Sequence, residues 1–127
     1  MSEKNAIGLD GLEFIEFSSH DPQSLQALFK EFGFSKTHRH QTKNVELFRQ
    51  GDITLLLNCE PQSFSSEFCK AHGPCVSSMG WRVKDKKRAL SLALKRGAQT
   101  ASHSDYTLSS EGKKVPAISG VGESLIY

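Results

Sequence analysis

One strand–helix unit occurs twice in this chain, and that duplication constrains the fold more than any single motif. The first copy runs Gly11-Leu-Glu-Phe-Ile-Glu-Phe17, then Asp21-Pro22, an apolar-striped stretch to Phe32, and Gly33-Phe34. The second runs Ser78-Met-Gly-Trp-Arg-Val83, then Asp85, a striped stretch to Arg96, and Gly97-Ala98. Asp21 and Asp85 are placed to cap helix N-termini, where a short carboxylate accepts amide protons that the first turn leaves unbonded. Gly33 and Gly97 stand where a helix C-terminus wants a left-handed residue. The helices recur 64 positions apart and the strands 66, because the first strand–helix turn carries two extra residues among Ser18, Ser19 and His20. Two copies of so short a unit imply an internally duplicated domain.

Each copy extends the same way. Residues 12–17 are rich in aromatic and β-branched side chains and read as a strand. Asp21-Pro22 opens a helix with proline at its tolerated first position. Leu25, Leu28, Phe29 and Phe32 form a helical stripe expected to pack on a sheet. Extended runs follow at 34–41, 45–50 and 53–58, joined by the turn-like residues 42–44 and by Gly51-Asp52, a loop suited to a hairpin. The run Ile53-Thr-Leu-Leu-Leu57 is nearly continuous in apolar residues, which predicts a strand in mid-sheet. Residues 60–73 link the halves and hold a short helix near 63–72.

The second half predicts a strand at 76–83, then a helix at 85–96 striped by Ala89, Leu92 and Ala93, then a strand at 98–102. Residues 104–112 are polar and loop-like. Two more strands are expected at 113–118 and 123–127, around a turn at 119–122. Phe17 and Trp81 occupy matching places and read as core aromatics. The fold class is α+β. Two βαβββ modules, about 8–59 and 74–127, pair into a cup-shaped mixed sheet with helices outside, one domain over residues 1–127. The strand-like ending Leu125-Ile126-Tyr127 reads as a domain cut from a longer chain.

Composition narrows the partners. The net charge is only +2, with 37% hydrophobic and 24% charged residues. The tight basic run Lys84, Lys86, Lys87 and Arg88 lies over the start of the second helix and reads as a solvated face. A nucleic-acid site would need a broader patch with interleaved aromatics. No apolar run approaches the roughly 20 residues of a spanning helix, and the polar start Met1-Ser-Glu-Lys-Asn5 is not signal-like. Cys59, Cys69 and Cys75 are odd in number and lack CxxC spacing, which favours buried or half-buried thiols in a reduced, cytoplasmic setting.

The duplicated unit resembles the vicinal oxygen chelate superfamily, which includes glyoxalase I, bleomycin-resistance proteins and extradiol dioxygenases. Longer strings are similar to the N-terminal domain of bacterial 4-hydroxyphenylpyruvate dioxygenases. They are Gly8-Leu-Asp-Gly-Leu-Glu-Phe-Ile-Glu-Phe17, Phe48-Arg-Gln-Gly-Asp-Ile-Thr-Leu-Leu-Leu-Asn58, His72-Gly-Pro74, Met79-Gly-Trp-Arg-Val-Lys-Asp85 and Pro116-Ala-Ile-Ser-Gly-Val-Gly-Glu-Ser-Leu-Ile-Tyr127. The resemblance implies a longer polypeptide whose Fe(II), held by two histidines and a glutamate, belongs to a C-terminal domain absent from this chain. It implies a reaction converting 4-hydroxyphenylpyruvate and O₂ to homogentisate and CO₂, in tyrosine breakdown.

Matching the strands to the superfamily pattern puts Leu12, Ser78 and Tyr127 where ligating members carry His, His and Glu. Leucine has no donor, serine is weak, and tyrosine would have to ionise; a slip of one position offers Glu13, a single carboxylate. A non-haem iron site needs two His and a carboxylate on one face. His38 and His40 share a strand face but sit among Lys36, Thr37, Arg39 and Lys43. His20, His72 and His103 are scattered.

Glu13 and Glu16 face opposite sides of their strand and form no pair. Gly120-Val-Gly122 is too short for a phosphate cradle. The expectation is therefore no catalytic, cofactor-binding or metal residue in this chain. The resemblance implies the C-terminal catalytic domain of the same polypeptide as partner and association into homo-oligomers, and no nucleic acid or membrane partner is expected. The alternatives are a free-standing small-molecule binder, a glyoxalase-like lyase or isomerase with ligands completed across a dimer, and a plain interaction module.

Overall fold

The structure is a computed structural model that describes residues 4–108 and 112–127. The first three residues of the polar start, and residues 109–111 of the polar loop, lie outside the described residues. Along the chain come β1 (Leu9–Ser18), α1 (Pro22–Glu31), β2 (Ser35–Arg39), β3 (Val45–Gln50), β4 (Ile53–Asn58), α2 (Phe64–His72), β5 (Cys75–Val83), α3 (Lys86–Lys95), β6 (Thr100–Ala101), β7 (Ala117–Ser119) and β8 (Leu125–Ile126). The strands form one 8-stranded sheet in the order β2-β3-β4-β1-β5-β8-β7-β6. From either edge inward, the second, third, fourth and first strands of a βαβββ module follow in turn. β1–β4 and β5–β8 are parallel, and β1–β5 joins the modules antiparallel at the centre.

Local chemistry sets the helix ends as expected. The Asp21 carboxylate accepts from Ser24 N at 3.3 Å and from Ser24 Oγ at 2.6 Å. The Asp85 carboxylate accepts from Lys87 N at 3.0 Å and Arg88 N at 3.1 Å. Gly33 and Gly97 turn the chain at φ +91 and +103, which other residues rarely adopt. Gly51-Asp52 closes the β3–β4 hairpin, with Gln50 opposite Ile53. β4 lies inside the sheet between β3 and β1.

The core forms where α1 meets the first module. Phe29 packs edge-on against Phe17 and Phe48, with ring centroids 5.1 Å apart in both pairs. Leu55 and Leu57 complete the buried cluster. Fully burying side chains of this size stabilises the fold by about 1.5–3 kcal/mol each.

Four expectations need correction. Leu28 and Phe32 do not join the core: they are 43% and 68% exposed, because only Phe29, with Leu25 beside it, points squarely at the sheet. Trp81 is not a core aromatic either, at 37% exposed. It lies on the end of β5 opposite Leu12, beyond the well-buried middle of the β1–β5 pair. The strands of the second module are shorter than their sequence patterns suggest. Pairing at 98–102 and 113–118 contracts to β6 and β7 plus an isolated Thr107–Lys114 bridge, and a 3₁₀ turn, Val121–Glu123, delays β8. Finally, His40 is not a strand residue sharing a face with His38. β2 stops at Arg39, and His40 Nδ1 accepts from Thr42 N at 3.2 Å and Lys43 N at 3.1 Å in the turn.

Candidate functional site

On β1 alternate side chains leave opposite faces of the sheet. Ile15 and Phe17 go to the α1 side, and Glu16 goes to the other. Glu16 is fully buried. Opposite it, the β1–β5 register jumps from Glu16–Ser78 to Phe17–Val76, leaving Ser77 as an extra residue. A bulge of this kind re-aims side chains. Here the consecutive serines Ser77 and Ser78 are both buried against the same cluster.

Glu16 is held on both oxygens. Ser78 Oγ donates to Oε1 at 2.6 Å, and Ser65 Oγ, from α2, donates to the same atom at 3.4 Å. Asn58 Nδ2, from the end of β4, donates to Oε2 at 3.2 Å, and the Tyr106 hydroxyl donates to Oε2 as well. Ser77 Oγ lies 3.0 Å from both Ser18 Oγ and Ser65 Oγ, so the hydroxyls form a continuous row.

A second carboxylate, Asp105, sits beside the first. Asn58 Nδ2 also reaches Asp105 Oδ2, at 3.4 Å, and so bridges the two acids. Asp105 accepts from Phe64 N at 2.8 Å and Ser65 N at 3.1 Å. Its negative charge thus sits at the N-terminus of α2, where the helix dipole favours an anion. The Tyr127 hydroxyl accepts from Asp105 N at 3.1 Å, and its ring meets Tyr106 edge-on at 5.7 Å. Among the described residues no buried side-chain polar atom lacks a partner.

The electrostatics follow from the burial. Removal from water raises the Glu16 carboxyl above its ordinary range, against the pull of the bonds from Ser78, Tyr106 and Asn58, and the neighbouring Asp105 charge adds to the rise. Burial and the Glu16 charge push the Tyr106 phenol far up, so it remains a proton donor. Burial likewise pushes Tyr127 up to about 12.

Of the positions matched to metal ligands, Ser78 lies in this cluster and donates to Glu16, while Tyr127 closes over it. Leu12 is 41% exposed and pairs with Trp81 on the strand beyond. Glu13 faces away from Glu16, as its spacing implies, and its Oε2 accepts from Arg82 Nε at 2.7 Å on the surface. Sequence reasoning missed Glu16, Asn58, Ser65, Asp105 and Tyr106 as a group, because they come from four separate segments: β1, β4, α2 and the loop after β6. The one available signal was an acid set between the apolar residues Ile15 and Phe17 of its strand.

The donor set does not suit a divalent ion. Both Glu16 oxygens face hydroxyl and amide donors, and the His40 ring, which meets Tyr106 at 6.3 Å between centroids, has its Nδ1 taken by Thr42 N and Lys43 N. The remaining histidines are accounted for elsewhere. His72 stacks on Phe68 at 4.2 Å between ring centroids, and His103 stacks on Phe64 at 6.4 Å. His20 lines a cavity of about 60 Å³ with Ser18, Asn58 and Cys59. The thiols of Cys59 and Cys75 are raised by burial, and Cys69 is buried.

The chain matches the family described as hydroxyphenylpyruvate dioxygenase, HPPD, N-terminal, over residues 3–127. It belongs to that family. Protein MelA of Shewanella colwelliana is 46% identical over 126 residues, which are 99% of this chain and 35% of MelA. A 4-hydroxyphenylpyruvate dioxygenase of Pseudomonas sp. (strain P.J. 874) is 42% identical over 124 residues, covering 98% of this chain and 34% of that protein. The chain thus spans about a third of the length of the curated relatives it matches.

Among solved structures, a xylose isomerase-like TIM barrel/4-hydroxyphenylpyruvate dioxygenase fusion protein superposes with a TM-score of 0.83 at 36% identity, over 99% of this chain and 20% of that one. Methylmalonyl-CoA epimerase from Mycobacterium tuberculosis shares the fold, with a TM-score of 0.69 at 16% identity over 99% of this chain and 89% of that one. The HPPD N-terminal family assignment and the doubled βαβββ sheet therefore agree. Among the described residues no helix is long and apolar enough to cross a membrane.

Proposed function

We propose that this chain is a catalytically silent N-terminal domain of a longer 4-hydroxyphenylpyruvate dioxygenase. In this reading residues 1–127 form one glyoxalase-like domain of two βαβββ repeats, about 8–59 and 74–127. The whole enzyme converts 4-hydroxyphenylpyruvate and O₂ to homogentisate and CO₂ in the cytoplasm, in tyrosine catabolism. Iron belongs to a C-terminal domain of the same polypeptide, and this domain supports that one and the association of subunits.

One observation carries the reading. Where an open chelating face would be needed, Glu16 is instead bonded to donors from β4, α2, β5 and the loop before Lys114. Such a network joins the halves. That engagement of both carboxylate oxygens supports a structural role for the cluster over a chelating one.

The rival small-molecule binder is less well supported. A pocket for a drug-sized ligand occupies about 300–1,000 Å³ and is mostly apolar. The cavity beside the cluster is about 60 Å³ and polar-lined. A larger hollow, about 380 Å³, lies between residues 4–8 and Lys84, Asp85 and Arg88; it shares no lining residue with the Glu16 cluster and is walled mainly by polar and charged residues rather than apolar ones.

Iron analysis and oxygen uptake on the isolated 127-residue chain test the proposal. The expected result is no stoichiometric iron and no homogentisate. Iron retained through dialysis together with homogentisate formation would overturn it.

A further inference from the structure

The β1–β5 pair ends in an apolar surface that the fold itself leaves uncovered. Leu9 pairs with Val83, and Leu12 with Trp81. Cross-strand partners share a face, and Trp81 and Val83, two apart on β5, share it too. Leu9 and Leu12 are three apart on β1, but a register shift between them keeps both opposite the Trp81 and Val83 face, so the four side chains form one patch. Leu9 is 43% exposed, Leu12 41% and Trp81 37%. An exposed Trp flanked by aliphatic side chains is the composition of an interface centre rather than of ordinary surface.

The strand beside the patch indicates what covers it. Tyr127 N donates to Met79 O at 2.8 Å, and Trp81 N donates to Tyr127 O at 2.9 Å. Tyr127, the residue after β8, therefore bonds its backbone carbonyl directly to Trp81, and any residue following it starts at the edge of the patch. The curated relatives are about three times as long as the part they share with this chain.

We propose that the Leu9, Leu12, Trp81 and Val83 surface is the docking face for the polypeptide that follows Tyr127. This rests on the reading of the chain as one domain of a longer enzyme. The partner surface is apolar, and it seats Trp81 in a desolvated pocket. Two copies of this chain meeting through the same patch is the competing occupant.

Hydroxyl-radical footprinting with mass spectrometry reads the side chains individually. It is applied to the 127-residue chain and to the same chain followed by its own downstream sequence, with sedimentation velocity on both. Leu12 and Trp81 should be oxidised readily in the short chain as a monomer, and several-fold more slowly in the long one. Equal oxidation in a long chain that forms homogentisate would overturn the docking face while leaving the functional reading intact. Protection in the short chain that is relieved on dilution of a dimer would assign the patch to a second copy and overturn it too. A gene that stops at Tyr127 would sink both.

As a second measurement, Trp81→Glu sits on an exposed position and should leave the short chain folded. In the long chain it should restore fast oxidation at Leu12. Continued protection of Leu12 in that variant would count against the proposal.

Discussion

Tyr106 and Glu16 are 90 positions apart in the chain, and the Tyr106 hydroxyl donates directly to the Glu16 carboxyl at the centre of the sheet. One residue lies on the first strand of the first module and the other in the loop of the second. The bond therefore ties the duplicated halves together, beside the backbone pairing of β1 and β5.

Removing that donor tests the tie. Tyr106→Phe keeps the ring and its contact with Tyr127 but leaves Glu16 Oε2 with Asn58 alone. A buried polar group that loses a partner costs about 1–3 kcal/mol. Urea denaturation should show a loss of that size, and an unchanged midpoint would mean the bond contributes nothing net.

The acid itself should give a signature in pH. Burial raises the folded-state carboxyl of Glu16 above its ordinary value, so between those two values the folded state holds a proton that the unfolded state has released. Its contribution to stability is full below that ordinary value and is lost as pH rises through the raised folded value. Asp21 has a lowered pKa from the bonds of Ser24, and its effect runs the other way, fading as pH falls. The difference between wild type and Glu16→Gln isolates the first effect. The wild type should lose stability relative to Glu16→Gln as pH rises from about 4.5 towards neutral. A pH-independent difference would contradict the raised carboxyl.

Asp105 stabilises the start of α2 from a distant loop. Asp105→Ala removes the acceptor of Phe64 N and Ser65 N, a loss comparable to that of an N-cap, about 0.5–2 kcal/mol. Hydrogen exchange should quicken first in residues 64–67, with α1 and α3 unaffected. Uniform acceleration across all three helices would show that the effect is global instead.

Gly80 is required for space. A Cβ there would fall 2.4 Å from Phe14 Cε1 and 2.6 Å from Cδ1, closer than real contacts allow. Gly80→Ala must displace the Phe14 ring, which packs 5.9 Å from Tyr127. Overpacking of this kind costs about 1–3 kcal/mol. The double variant Gly80→Ala/Phe14→Leu should recover part of that loss in thermal unfolding, and no recovery would place the strain elsewhere.

Local chemistry wrote much of the fold into the sequence. The duplicated unit, the Asp21 and Asp85 caps, the Gly33 and Gly97 stops, the Gly51-Asp52 hairpin and the interior place of β4 all follow from interactions within a few residues. The opposite facing of Glu13 and Glu16 follows from strand alternation alone. Such features are set by backbone conformation and short-range hydrogen bonds, which hardly depend on what the rest of the chain does.

Tertiary structure decided what surrounds each side chain. The apolar stripe of α1 carried no mark that Phe29 would be buried and Phe32 left in water. Nor did the symmetry that matched Phe17 with Trp81 show that one would enter the core and the other face outward. Glu16 looked like a polar interruption in a strand until Asn58, Ser65, Ser78, Asp105 and Tyr106 converged on it. Burial and long-range hydrogen bonding depend on how sheets pair and loops close over them, and those distances exist only once the whole chain has folded.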